Sequence, residues 1–167
     1  MFFERVFSGL QKRGIKYVVI GGGAVNLHGF QRATGDLDIL ISYDETNLKK
    51  LIRLIKDLGL KPRIPVAIDD LEDPRQRRKW AVEKGMKVFS VYNPKSVLEC
   101  IDIMLEGYAD FDEIYKRRQS LSEGNVKVSV ISLNDLIKMK KKVGRKRDKI
   151  DVDALRSIRR LKRGKNS

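Results

Sequence analysis

Two acids at the head of an apolar strand limit what this chain can fold into. Asp36-Leu-Asp38 opens the run 37–42, which reads as a β-strand. In a strand, residues i and i+2 point to one face, about 6–7 Å apart along the chain. Asp36 and Asp38 therefore project together, while Leu37, Ile39 and Ile41 form the opposite, packing face. Side-by-side carboxylates repel and call for a cation, and an all-oxygen ligand set suits Mg²⁺. Two solvated acids at a polar strand start are the alternative.

The preceding residues reinforce the metal reading. The β-branched run Tyr17–Ile20 predicts a buried strand. It enters Gly21-Gly22-Gly23 directly, and residues 24–28 then read as a short helix closed by Gly29. Glycines between a strand and a helix let the backbone approach a phosphate, and a helix N-terminus offers N–H groups to the anion. Alone, the same glycines are equally a tight turn.

A third acid, Asp102, interrupts the apolar stretch Ile101-Asp-Ile-Met-Leu105. A charge in such a strand is costly unless paired, hydrogen-bonded or metal-bound. Asp102 shares a face with Cys100 and Met104, and in company with Asp36 and Asp38 it reads as a third metal ligand. Glu99 lies on the other face and is the fallback.

The remaining pattern predicts a mixed α/β (α+β) domain, a sheet of about five strands flanked by helices. Helical spacing marks Phe2–Lys12 and residues 46–58. Asp73 and Pro74 mark the N-cap and first position of a helix over 73–84. Residues 86–92 and 98–105 read as strands separated by an Asn93-Pro94 turn, and 126–131 as another. Residues 61–70 read as loop or irregular strand. Helices are expected at 111–118, at 132–142 with Ser132 as N-cap, and at 149–162 after Gly144. One domain spans 1–163, with 164–167 as a frayed tail. Trp80 reads as a core residue rather than a base-stacking one.

Composition narrows the setting. The chain has 167 residues, no apolar run long enough to cross a bilayer, and no basic-then-apolar leader at its start. Its single cysteine excludes an internal disulfide, so cytoplasmic residence is the simplest expectation. The net charge of +14 attracts polyanions, and 35% charged residues also suit a thermophile. Basic residues concentrate over 138–165 without interleaved aromatics, so a solvated helix face is the plainer reading and a nucleic-acid surface the sharper one.

The stretch from Ile20 to Ile39 (glycines, Asn26, His28-Gly29, Arg32, Thr34 and the Asp-x-Asp) resembles the polymerase-β type nucleotidyltransferase superfamily. More narrowly it is similar to stand-alone minimal members that include the abortive-infection toxin group. Gly144-Arg-Lys-Arg-Asp148 through Asp151 resembles a basic segment of that group. Gly23 departs from the pattern, which usually has Ser there.

The resemblance implies a nucleotidyltransferase that uses two Mg²⁺ ions and a nucleoside triphosphate. Asp36, Asp38 and Asp102 would be both metal ligands and catalytic residues. Gly22, Gly23, Arg32, Thr34, Lys140 and Arg145 would contact the nucleotide. His28 would shape the glycine loop. The acceptor would be a hydroxyl of RNA (tRNA among them), protein or a small molecule. The alternatives are a catalytically silent nucleotide- or RNA-binding module and a toxin–antitoxin component acting through a partner protein.

Overall fold

A computed structural model describes residues 1–166. Its centre is a seven-stranded mixed sheet in the order β3-β4-β5-β2-β1-β7-β6. The chain order is α1 (Phe2–Lys12), β1 (Tyr17–Ile20), α2 (Gly21–Leu27), β2 (Leu37–Ile41), α3 (Glu45–Asp57) and β3 (Lys61–Pro62). A 3-10 helix (Ile68–Glu72) and α4 (Pro74–Glu83) follow, then β4 (Val88–Asn93), β5 (Ser96–Met104), α5 (Phe111–Arg117), β6 (Gln119–Glu123) and β7 (Val126–Val130). Helices α6 (Leu133–Val143) and α7 (Lys146–Lys165) end the fold.

β1 is buried along its whole length. It pairs antiparallel with β2 and parallel with β7, which explains its unbroken Tyr-Val-Val-Ile sequence. α1 buries Phe2, Val6, Phe7 and Leu10, and Phe7 stacks on Tyr17 at 6.5 Å. Buried Asn47 of α3 ties the start of β1 to the end of β2. It accepts from Lys16 N (2.8 Å) and donates to Lys16 O (3.1 Å) and Ser42 O (2.8 Å).

β4 and β5 form a hairpin. Along β4, Phe89 and Val91 are buried, whereas Val88, Ser90 and Tyr92 are half-buried. Trp80 of α4 stacks on Phe89 with ring centroids 5.1 Å apart, which covers the Phe89 face. The opposite face is half-buried at Val88, Ser90 and Tyr92 and buried at Cys100 and Met104.

Three expectations are corrected. Seven strands form rather than about five. β6 reads Gln-Ser-Leu-Ser-Glu and only half-buries its single apolar residue, Leu121, so it has almost no apolar signature; its ladder to β7 creates it. β3 is two residues, held by Lys61↔Tyr92 and Pro62↔Val91 pairing. The second correction is that α2 begins at Gly21, not Ala24, so the glycines form its first turn. Lastly, α7 is longer than 149–162 and runs into the stretch read as a frayed tail. That reading at Ser167 lies outside the described residues.

Trp80 is 2% exposed and the chain's only tryptophan. Trp80→Ala should cost about 3–5 kcal/mol of stability in chemical denaturation followed by circular dichroism. A cost below ~1 kcal/mol would show that α4 does not close this face.

Candidate active site

The strand register brings the acids together. β2 pairs parallel with β5, and Asp38 lies directly opposite Asp102. The two carboxylates thus rise from one face of neighbouring strands. Asp36 stands one residue before β2 on the same face. The ligating atoms of Asp36, Cys100 and Asp102 lie within 4.8 Å of one another. Asp38 sits outside that tightest group but is electrostatically coupled to it. Burial, then Asp102 and Asp36, raise its pKa to about 7 from an ordinary 3.8, against the pull of Lys140 and Arg145.

Cys100 is the soft member of the cluster. Burial pushes its thiol up to about 11, although Arg63 pulls the other way. It stays protonated near neutrality, which leaves an all-oxygen donor set. Ser90 donates to Asp102 Oδ1 at 2.5 Å and fixes that carboxylate from β4. Glu99, the fallback acid, accepts instead from Asn93 Nδ2 at 2.5 Å and takes no part. Three carboxylates, one with its proton affinity raised by the other two, fit a divalent cation.

The glycines face this cluster unequally. Gly21 has φ +64°, and a Cβ there would overlap the Asp38 carboxylate. At Gly22 a Cβ would come within 2.7 Å of Thr34 Oγ1 and 2.8 Å of Arg32 Nη2. Gly23 lies over Val19 and Leu37 with room for a Cβ, so its position does not itself require glycine. α2 starts without a side-chain cap. Its far end is fixed by His28, whose Nε2 is 2.7 Å from Ile131 O. Burial lowers the His28 pKa and keeps the ring neutral, in keeping with a shaping role.

The predicted cations are held in a buried ion network. Asp151 is fully buried, with Arg32 Nε at 3.0 Å and Lys140 Nζ at 3.0 Å. The Arg32 N–H does not point at the Asp151 oxygen, so this is an ion pair without a formed hydrogen bond. Lys140 Nζ also donates to Asp148 at 3.1 Å, and Arg145 Nε reaches Asp148 at 2.8 Å. Lys140 is therefore engaged by two acids, whereas Arg145 is largely exposed. Thr34 is exposed, and Arg32 N bonds Asn26 Oδ1 at 3.0 Å.

A cleft of about 1150 Å³ opens beside the acids. Gly21, Asp38, Asp102, Tyr108, Lys140 and Arg145 are among its lining. Tyr108 feels both Asp38 and Arg145, and burial raises its pKa. Sequence reasoning missed Tyr108 and Ser90. Pairing 86–92 with 98–105 through the Asn93-Pro94 turn would have set Ser90 near Asp102; Tyr108 carries no such signal.

The fold agrees with what the chain resembles. The family described as "Nucleotidyltransferase of unknown function (DUF6036)" matches residues 4–163. The chain belongs to that family and is a nucleotidyltransferase. Among solved structures it is similar to the lincomycin-bound lincosamide antibiotic adenylyltransferase LnuA, with TM-score 0.62 and 17% identity over 93% of this chain and 95% of that one. A provisionally assigned nucleotidyltransferase from Thermotoga maritima matches with TM-score 0.58 and 15% identity, over 97% and 91% of the two chains. ANT(2″)-Ia in complex with adenylyl-2″-tobramycin matches with TM-score 0.54 and 12% identity, over 99% and 97%. At such identities these likenesses establish a shared fold. No curated protein matches the sequence. No helix among the described residues is long and apolar enough to cross a membrane.

Two stability tests follow. Asp38 binds a proton more tightly folded than unfolded, so its contribution is full below pH 3.8 and is lost as pH rises through about 7. In chelator-treated protein this should cost on the order of 4 kcal/mol between pH 4 and 8. Thermal melts of Asp38→Asn should lack that loss, and Mg²⁺ should restore stability to the wild type at pH 8. His28 acts oppositely, costing stability as pH falls through its depressed pKa, so only the wild-type-minus-variant difference is diagnostic. Asp151→Ala, which strands Arg32 and leaves Lys140 with Asp148 alone, should cost roughly 3–5 kcal/mol in urea denaturation.

Proposed function

We propose that this protein is a Mg²⁺-dependent nucleotidyltransferase that moves a nucleoside monophosphate from a nucleoside triphosphate to an acceptor hydroxyl. The observation that carries the reading is the convergence of Asp36, Asp38 and Asp102 on one sheet face, with Asp38 opposite Asp102. Asp36 and Asp38 would hold two ions and Asp102 one of them. When bound, the ions supply Lewis-acid stabilisation of the phosphate oxygens and lower the pKa of the acceptor hydroxyl.

The protein's own groups do the rest. Gly21 gives its side-chain space to the Asp38 carboxylate and Gly22 gives its own to Thr34 and Arg32, so both are built tightly into the wall of the site. Arg145, exposed at the cleft, would offset charge spreading onto the phosphate oxygens. Lys140 adds positive potential from its buried position, where Asp148 and Asp151 hold it. Arg32 and Thr34 back the Gly22 turn, and we assign them to shaping the nucleotide site. Asp102, oriented by Ser90, would take the proton of the acceptor hydroxyl. The acceptor oxygen attacks the α-phosphorus as the bond to the β-phosphate breaks, and pyrophosphate leaves.

The test is incubation with each α-labelled nucleoside triphosphate, Mg²⁺ and cell extract containing RNA. Label should enter an acceptor and pyrophosphate should appear. Asp38→Asn and Asp102→Asn should each reduce transfer by at least about 10³-fold, because each removes a charge that holds a metal. Tight nucleotide binding with no transfer to any acceptor would instead identify a silent binding module.

A further inference from the structure

The cleft beside the aspartates is poor in neutral donors. Its lining is apolar, acidic or basic apart from glycines and Tyr108, which brings the one side-chain hydroxyl and the one aromatic ring. The first turn of α2 is Gly21-Gly22-Gly23 and offers only backbone. Lys140 and Arg145 both act on Asp38, but each is already paired with Asp148, and Lys140 with Asp151 as well.

Tyr108 is anchored, yet its hydroxyl is uncommitted. Leu105 N bonds Lys87 O at 2.9 Å as β5 ends, and Tyr108 N bonds Leu105 O at 3.2 Å. Gly107 between them takes φ +90°, a region that side chains disfavour. Asp110 then caps α5 by accepting from Glu113 N. The Tyr108 ring is half-buried against the core. The other tyrosines are engaged. The Tyr17 hydroxyl accepts from Ser129 N, and the Tyr43 hydroxyl donates to Met104 O. The rings of Tyr92 and Tyr115 carry Arg63 and Arg118. Among the described residues the Tyr108 hydroxyl makes no hydrogen bond, although it lies in the field of Asp38, Arg145 and Asp148. Its surroundings are thus a carboxylate of the acid cluster and the cation assigned to phosphate charge. A neutral phenol suits that position. A further ammonium or guanidinium would pair with Asp38 and compete with a divalent ion, whereas a phenol donates to a phosphate oxygen without adding charge.

We propose that Tyr108 is a catalytic residue whose hydroxyl donates to a non-bridging oxygen of the α-phosphate. The proposal deepens the transfer reading given above and rests on it. As the acceptor oxygen bonds to the α-phosphorus, negative charge gathers on the non-bridging oxygens and the hydrogen bond strengthens. The Pα–O bond to the β-phosphate breaks and pyrophosphate takes the electron pair. Tyr108 keeps its proton throughout.

The test compares wild type, Tyr108→Phe and Tyr108→Ala as full chains, each checked for folding by thermal melting. The first readout is transfer of label from the α-labelled triphosphate with Mg²⁺ and RNA-containing extract. Tyr108→Phe should lower kcat by about 10²-fold, the usual loss of one such donor, and Tyr108→Ala should lower it no less. Triphosphates with sulfur in place of one or the other non-bridging α-oxygen report a direct contact, because sulfur is a weak acceptor. With one diastereomer the wild-type advantage over Tyr108→Phe should disappear, and with the other it should persist. The second readout is calorimetric binding of an α,β-methylene triphosphate, which cannot transfer. Tyr108→Phe should weaken it about tenfold, as for one hydrogen bond to a charged group. A loss confined to Tyr108→Ala would make the ring a stacking surface and overturn the proposal, as would the same advantage with both diastereomers. No transfer by the wild type, with binding still weakened by Tyr108→Phe, would overturn the transfer reading and leave the phosphate contact standing. No transfer with binding unchanged would overturn both. Transfer undiminished in Tyr108→Phe would overturn this role alone.

Discussion

Like charges facing each other across two strands are a standing cost, and the architecture around Asp38 and Asp102 is organised by it. The parallel pairing of β2 with β5 fixes the two carboxylates opposite one another, and Asp36 joins from the same face. Neighbouring residues adapt to that density of charge. Ser90 donates to Asp102, Gly21 yields space to Asp38, and Lys140 and Arg145 bias Asp38 toward its charged form. Asp38 nevertheless titrates near neutrality. A carboxylate cluster of this density is well matched to a cation, since an ion turns mutual repulsion into shared attraction.

The second organising device is the ion network Arg32–Asp151–Lys140–Asp148–Arg145, which links the loop before β2 to α6 and α7. Its two acids are buried, so their charges are compensated at short range rather than by water. Here the basic C-terminal segment has two parts. Lys140, Arg145 and Arg32 are committed to buried acids, whereas most of the outer side of α7 is exposed. The positive charge of this chain is therefore partly structural cement around the cleft and partly free surface. Lys61, exposed at the sheet edge, belongs to the free part, whereas Arg63 beside it packs over Tyr92.

Much of the chain was legible beforehand because its signals are local. Asp73 and Ser132 cap helices as side-chain acceptors, apolar periodicity located α1 and α3, and a β-branched run located β1. The elements that escaped are those whose stability is not local. β6 carries no apolar pattern and exists through its ladder to β7. β3 is two residues long and depends on β4. The glycines of α2 hide a helix start, because glycine signals a turn before it signals helix.

The residue order alone determined that Asp36 and Asp38 share a face, because strand geometry has a period of two. It also determined that a lone acid at Asp102 needed a partner, because an unpaired charge in an apolar strand is costly. Only the tertiary structure decided that Asp102 stands opposite Asp38 rather than on the far face, since register between residues 64 apart in the chain is set by packing of the whole sheet. It also decided that Lys140 is buried between two acids and that Arg63 reaches the cluster from the sheet edge. Those pairings join side chains distant in sequence, and no periodicity within a single segment encodes them.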